Sequence, residues 1–304
     1  MSKITAHILG TTAGVPTKER GHTAIYLSHY DREEFSCLFD CGENTQRQLT
    51  IAGLNIMKID DCFITHWHGD HCLGLPGLVD TMGFEDRQRP LTVYAPEAGR
   101  IKKSLDSSYS MRSFKVLRRE VPKRGNRIVT LLEKDRFRIV SVPVDHNIPA
   151  VAYALVEKDR RTIDLEKAGR LGLPEQDEIY ARIKKNGEVE LNGRRIKLED
   201  ISAVENGKKV VFSGDTGICQ GLRKLARGAD LLIQDCTYFS EEDAKGSYKH
   251  ASLNEVIRMV EEEGIKRTVL THISRKYQDM DHLRSLVEPY GTVEVAEDFA
   301  IYEV

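Results

Sequence analysis

The chain has 304 residues, 40% hydrophobic and 30% charged, enough length and apolar content for a sizeable core in one large or two ordinary domains. That balance argues against a disordered or fibrous chain, and no stretch reaches the roughly 18 uninterrupted apolar residues of a membrane span. Forty-five Lys and Arg against 47 Asp and Glu leave a formal charge of -2, which as an average argues against a surface coated with positive charge for nucleic acid. The opening residues carry one cation and no long apolar run, so a soluble, cytoplasmic protein with no membrane contact is expected. The six cysteines form no Cys-x-x-Cys pair and sit in apolar or strand-like runs, which predicts reduced and mostly buried thiols.

In chain order, short strands are predicted at Thr5 to Leu9, Thr23 to Leu27, Ser36 to Phe39 and Cys62 to Thr65, each stopped by Gly, Asp or His. Helical patterns intervene at Asn44 to Ala52 and after Leu73. Strands return at Leu91 to Tyr94, Arg138 to Val144, Val151 to Val156, Lys209 to Ser213, Leu231 to Gln234, Thr268 to Thr271 and Val293 to Val295. Helices are expected at Ile218 to Ala226 and Leu253 to Glu262, so both halves mix strand and helix in an α/β chain. The segment from about Lys158 to Glu205 is charged, rich in Gly and Pro, and reads as an arm inserted into a single domain spanning residues 1–304.

The strongest local signal is Thr65-His66-Trp67-His68-Gly69-Asp70-His71, directly after a predicted strand. Imidazole and carboxylate are ligands that a borderline cation such as Zn²⁺ accepts, and a turn beyond a strand lets residues two and four apart point into one space. His66 and His68 suit one ion; Asp70 and His71 suit a neighbouring one. Three further donors fall where β-rich runs end: His146 after Asp145, Asp215 after Gly214, and His272 after Thr271. The assignment then closes with His66, His68 and His146 on one metal, Asp70, His71 and His272 on the other, and Asp215 bridging. Two divalent ions about 3.5–4 Å apart stabilise both the entering and leaving oxygens of a phosphodiester displacement. Trp67, between two of these donors, is expected to pack beneath the site. The glycines of Gly10 to Gly14 read as a tight turn and not a P-loop, because no Gly-Lys-Ser/Thr follows.

These residues resemble the metallo-β-lactamase superfamily and, within it, the ribonuclease Z family of endonucleases that trim the 3′ trailer of precursor tRNA. The resemblance runs nearly end to end. It rests on Leu9-Gly10-Thr11-Thr12-Ala13-Gly14-Val15-Pro16, on Phe39-Asp40-Cys41-Gly42-Glu43-Asn44-Thr45-Gln46-Arg47-Gln48, and on the histidine motif continued by Leu73-Gly74-Leu75-Pro76-Gly77-Leu78. His146 to Ala150, Val211 to Thr216, Leu270 to Tyr277 and the arm match as well. The resemblance implies a four-layer αβ/βα sandwich, two zinc ions per subunit, with manganese or another divalent ion as a substitute, a homodimer, and an arm that grips tRNA. It implies that Asp70 holds a metal and orients or deprotonates the attacking water, and that His250 protonates the leaving 3′ oxygen. Asp235 stands where the family has a Glu that supports this histidine; being one methylene shorter, it predicts a weaker pairing. The usual Gly-Pro tip of the arm is replaced by Pro174-Glu175-Gln176-Asp177-Glu178, so either the arm contacts RNA through Arg182, Lys184, Lys185, Arg194, Arg195 and Lys197 or the substrate is not ordinary precursor tRNA.

Residues 100–138 hold 13 Lys and Arg against 4 Asp and Glu, a local balance of +9 hidden by the average, with Tyr109, Phe114 and Phe137 interleaved. Such a stretch suits backbone phosphates, with aromatics available to stack on bases; the alternative is a solvated helical face whose aromatics point inward. Two other functions compete with tRNA trimming: a dimetal hydrolase of another phosphodiester or an ester, and an RNA-binding protein with a structural metal. The arm argues against a small-molecule substrate, and open metal positions argue against a structural ion.

Overall fold

The computed structural model describes residues 2–106, 112–174, 178–191, 193–244 and 249–304. The chain divides into two compact units, 1–156 with 209–304, and 157–208.

The larger unit is built on two seven-stranded sheets. In the first, strands run in the order Ile301–Glu303, Lys3–Gly10, Ala24–Tyr30, Glu34–Phe39, Ile59–Phe63, Leu91–Ala95 and Val116–Glu120. In the second, the order is Val293–Val295, Thr268–Thr271, Leu231–Asp235, Lys209–Phe212, Ala150–Glu157, Phe137–Val144 and Val129–Glu133. One apolar cluster takes Ile8, Leu27, Phe39 and Phe63 from the first sheet and Tyr153, Phe212, Ile233 and Val269 from the second, so the sheets pack face to face. A second cluster joins the outer face of the first sheet to the helices Thr45–Ile51, Leu75–Phe84 and Gly99–Leu105. A third joins the other outer face to Gln220–Ala226, Leu253–Glu263 and Met280–Val287. The result is the expected four-layer αβ/βα arrangement.

Sequence explains why these strands lie inside. Lys209–Phe212, Leu231–Asp235 and Thr268–Thr271 are near-continuous apolar or β-branched runs, as strands covered on both faces require, and they pair in parallel. Parallel strands end at one edge of a sheet, which is where an α/β fold gathers polar side chains. The helix Leu253–Glu263 is set by a capping box of Ser252 and Glu255 and stopped by Gly264 at φ 62°.

Two sequence expectations change. The predicted strand Cys62 to Thr65 stops at Phe63, because the Thr65 N–H donates to the Asp40 carboxylate at 2.7 Å and leaves the ladder. Among the described residues of 100–138, only Gly99–Leu105 supplies a helix and the strands Val116–Glu120 and Val129–Glu133 follow it, while Phe114 and Phe137 are 5% and 4% exposed and point inward, so neither is free to stack on a base. Tyr109 lies outside the described residues, as do Glu175, Gln176 and Asp177 of the acidic tip. All six cysteines are free, and every one except the partly exposed Cys219 is buried.

The smaller unit has its own apolar cluster of Ala168, Leu173, Ile179, Ile183, Val189, Ile196 and Ile201. Strand Arg160–Ile163 pairs with Ser202–Glu205, and Glu188–Leu191 with Arg194–Lys197. Asp164 caps the helix Leu165–Arg170 by accepting from Lys167 N. The arm therefore contains short strands, each with at most one buried residue, that composition alone did not reveal.

Candidate metal centre

Each predicted donor sits just past a strand end or within the turn that follows one. His66, His68, Asp70 and His71 come after Ile59–Phe63, His146 after Phe137–Val144, Asp215 after Lys209–Phe212, and His272 after Thr268–Thr271. The turn bearing the histidines lies against Cys41 and Gly42: Cys41 N donates to His71 O at 2.8 Å, and Gly74 N to Cys41 O at 2.9 Å. That approach needs two glycines. A Cβ on Gly42 would meet Asp70 O at 2.3 Å, and one on Gly74 would meet Gly42 O at 2.0 Å.

The donor atoms form two groups that share Asp215. His66, His68, His146 and Asp215 place one atom each within 4.8 Å of one another, as do Asp70, His71, Asp215 and His272. In the first, His68 Nδ1 lies 3.1 Å from both His66 Nε2 and His146 Nε2. In the second, Asp215 Oδ1 is 3.1 Å from His71 Nε2, and Asp215 Oδ2 is 3.1 Å from His272 Nε2. Asp70 Oδ2 lies 3.3 Å from His272 Nε2 and accepts from Gly14 N at 2.8 Å.

A divalent metal fits these residues. His71 Nε2 and Asp215 Oδ1 are buried and close, yet neither has a hydrogen-bond partner of acceptable geometry. Two buried polar atoms left in that state cost free energy that a shared cation would offset. The charges point the same way. Burial pulls the His272 imidazole down, but Asp215, Asp235 and Asp70 outweigh it and hold its pKa up at about 10. His71 is likewise held well above its ordinary value by Asp215 and Asp40 against its burial. The pocket thus selects positive charge. His66, His68 and His146 shift down, chiefly through desolvation, and stay in the neutral form that binds metal.

Outer partners fix the rings. His71 Nδ1 lies 2.7 Å from Asp40 Oδ2, His66 Nδ1 3.0 Å from Thr65 Oγ1, and His146 Nδ1 3.2 Å from Lys249 O. Asp235 serves two histidines. Its Oδ2 is 2.8 Å from His250 Nδ1, and its Oδ1 is 3.4 Å from His272 Nδ1, while Thr237 N and Oγ1 donate to Oδ1 at 3.0 and 2.7 Å. The shorter side chain therefore still reaches His250. Asp215, Asp235, His250 and His272 also gather their donor atoms within 4.8 Å.

Sequence reading missed Asp40. It stands at a strand end, at φ 56°, two residues before Gly42, and a carboxylate tolerant of left-handed backbone at such a turn is the signal that was present. Trp67 donates from its indole to Pro96 O at 2.6 Å and packs on the core cluster beneath the site, as expected. In the smaller unit, Arg194 and Arg195 join Lys167 and Arg170 around a cleft of about 390 Å³. Arg182, Lys184, Lys185 and Lys197 are exposed but do not line it.

Two family profiles match parts of the chain: "Anti-Pycsar protein Apyc1" over residues 5–110 and "Beta-lactamase superfamily domain" over residues 198–273. The chain is 36% identical over 301 residues to a ribonuclease Z of Methanothermobacter thermautotrophicus, covering 97% of this chain and 95% of that one. It is 37% identical over 284 residues to a ribonuclease Z of Thermococcus kodakarensis, covering 92% and 87%. Among solved structures it resembles the short form of human tRNase Z, with a TM-score of 0.69 and 25% identity over 98% of both chains.

Proposed function

The chain belongs to the ribonuclease Z family of metal-dependent endoribonucleases, and from that premise we propose that it removes the 3′ trailer of precursor tRNA by phosphodiester hydrolysis, leaving a 3′ hydroxyl. The observation that carries this reading is the pair of four-donor groups joined through Asp215. His66, His68 and His146 would hold one ion, Asp70, His71 and His272 the other, with Asp215 between them; zinc suits these nitrogen and oxygen donors. Two such ions supply positive charge to the scissile phosphate and lower the pKa of water.

The protein's own groups do the rest. Asp70 Oδ2, oriented by the Gly14 N–H, is placed to orient the attacking water or accept its proton. His250 is the proton donor to the leaving 3′ oxygen. Asp235 fixes its Nδ1 and directs the transferable proton to Nε2; burial pulls the His250 pKa down, but the Asp235 carboxylate outweighs it and keeps it above 6.5. In the arm, Arg194, Arg195, Lys167 and Arg170 would bind RNA phosphates at one face, with Arg182, Lys184, Lys185 and Lys197 adding charge. The arm is read as an insertion in a single metallo-β-lactamase domain. A homodimer and a cytoplasmic setting complete the proposal; six free thiols are the state a reducing compartment maintains. Among the described residues no helix is long and apolar enough to cross a membrane.

The test incubates the purified protein with a 3′-extended tRNA and with bis(p-nitrophenyl) phosphate, beside Asp70→Ala and a metal assay. Trailer release by the wild type and not by Asp70→Ala, with two metals per chain, is the expected result. Rapid turnover of the small ester with an untouched tRNA would move the assignment to another hydrolase of this superfamily. Fewer than two metals in active protein would end the dinuclear reading. Paired Arg194→Glu and Arg195→Glu changes should raise KM for tRNA and leave hydrolysis of the small ester unchanged.

A further inference from the structure

The loop between the strands Lys3–Gly10 and Ala24–Tyr30 carries an arginine for which the reaction above has no role. Arg20 is 8% exposed, and its guanidinium is turned onto the protein. Nη1 donates to Ile273 O at 3.3 Å, and Nη2 to Ser274 O at 3.4 Å and Tyr277 O at 3.0 Å. An arginine used to bind phosphate keeps its planar fork open to the ligand; this one is committed to three backbone carbonyls.

Those carbonyls belong to the segment directly after His272. His272 itself has φ 55°, a left-handed conformation that is strained for a non-glycine residue and persists only where its surroundings impose it. The surroundings are supplied by the same loop. Ile273 N donates to Thr11 O at 2.8 Å, and Ile273 and Ser274 pair in parallel with Thr12 and Ala13. The loop also holds Asp70, through the Gly14 N–H at 2.8 Å. It therefore grips two of the four donors in one group. Among the described residues no hydrogen bond of the first group's imidazoles runs to it: theirs go to Thr65, to Lys249 O and to one another.

The geometry points to Arg20 as a positioning residue for the pocket of Asp70, His71, Asp215 and His272. By pinning residues 273–277 it keeps His272 in its left-handed backbone and its Nε2 facing Asp70 and Asp215. This inference rests on the proposed reading that those four residues hold a metal ion.

The test titrates metal-free wild type, Arg20→Ala and Arg20→Lys with Zn²⁺ against a competing chelator. Thermal denaturation of the metal-free forms and steady-state kinetics on a 3′-extended tRNA accompany the titration. The wild type should bind two ions. Arg20→Ala should keep one tight ion and bind the second roughly 10–100-fold more weakly, the loss typical when a partner that orients a ligand is removed. Arg20→Lys, which keeps the charge but not the fork, should fall between them, and kcat should drop with KM for tRNA unchanged. Two ions held as tightly as in the wild type, or both weakened equally, overturns the assignment. A raised KM with both ions tight would make Arg20 a substrate contact and likewise overturns it. Should Arg20→Ala fail to fold, Arg20→Lys decides the matter by the same titration. A wild type that binds fewer than two ions instead removes the reading on which the inference stands.

Discussion

The two groups of metal donors use the same side-chain chemistry and are stiffened by different partners. His66 and His146 rest their outer nitrogens on neutral oxygens, the Thr65 hydroxyl and the Lys249 carbonyl. His71 rests its own on the buried carboxylate Asp40, and His272 Nδ1 lies 2.9 Å from the Thr237 hydroxyl and 3.4 Å from the buried Asp235 carboxylate that this hydroxyl donates to. A carboxylate behind an imidazole raises its basicity and fixes its tautomer more firmly than a neutral acceptor does. In the absence of a cation it also holds the ring protonated. The carboxylate-backed half should thus bind its ion more strongly at high pH and lose it more steeply as protons compete, whereas the neutral-backed half should respond weakly to pH.

Asp215 belongs to both halves, so its removal should have the largest effect. Asp215→Ala is expected to lower bound metal below two ions per chain and turnover by on the order of 10³-fold or more, beyond the 10–100-fold typical of partners that only orient a ligand. Elemental analysis beside single-turnover cleavage measures both. Retention of two ions would show that the halves are independent sites.

Next in size is His250→Ala, at about 10²–10⁴-fold in turnover, the usual contribution of a positioned acid. His250 shares Asp235 with His272 but is assigned no metal, so both ions should remain. The defect should shrink on a phosphodiester whose leaving group needs no proton, such as p-nitrophenolate. Loss of metal in this variant would contradict the role given to His250.

Asp40→Asn removes the charge behind His71 while keeping a hydrogen-bond acceptor for the Thr65 hydroxyl, which holds His66. One of two ions should bind roughly 10–100-fold more weakly, and the other should be unchanged. Equal weakening of both would erase the distinction between the halves.

The smallest effect is on stability in chelator. His272 has a pKa near 10 when folded and an ordinary value of 6.5, so its protonation stabilises the folded chain fully below about pH 6.5. That contribution is lost as pH rises through about 10. The denaturation midpoint of chelated protein should fall across this window, and that of the metal-loaded protein, in which the cation replaces the proton, should not. A chelated midpoint level from pH 6 to pH 10 would remove the argument that the pocket demands positive charge.

Much of this site was legible because its donors sit in polar turns directly after apolar runs. Strand ends in an α/β chain meet at one edge, so His66, His68, Asp70, His71, His146, Asp215 and His272 could be gathered by position alone. Asp40 was not, since an Asp after a strand followed by Cys-Gly reads equally as a turn. The aromatics of 100–138 were misplaced for a related reason. Phe114 and Phe137 lie among cations in sequence, and only packing shows that their rings enter the core while the charges stay outside. The arm's composition marked it off, but four short strands escaped notice because each holds only one or two apolar residues.

The sequence by itself determined which side chains are available to bind metal and move protons, because residue chemistry and local periodicity are properties of short stretches. Only the tertiary structure decided what stands behind each ring. Asp40 meets His71 across 31 residues and Asp70 meets His272 across 202. Asp235 reaches two histidines despite its short side chain. Such partners are set by how closely distant strand ends approach, and that distance is written in the packing of two sheets and in no local pattern.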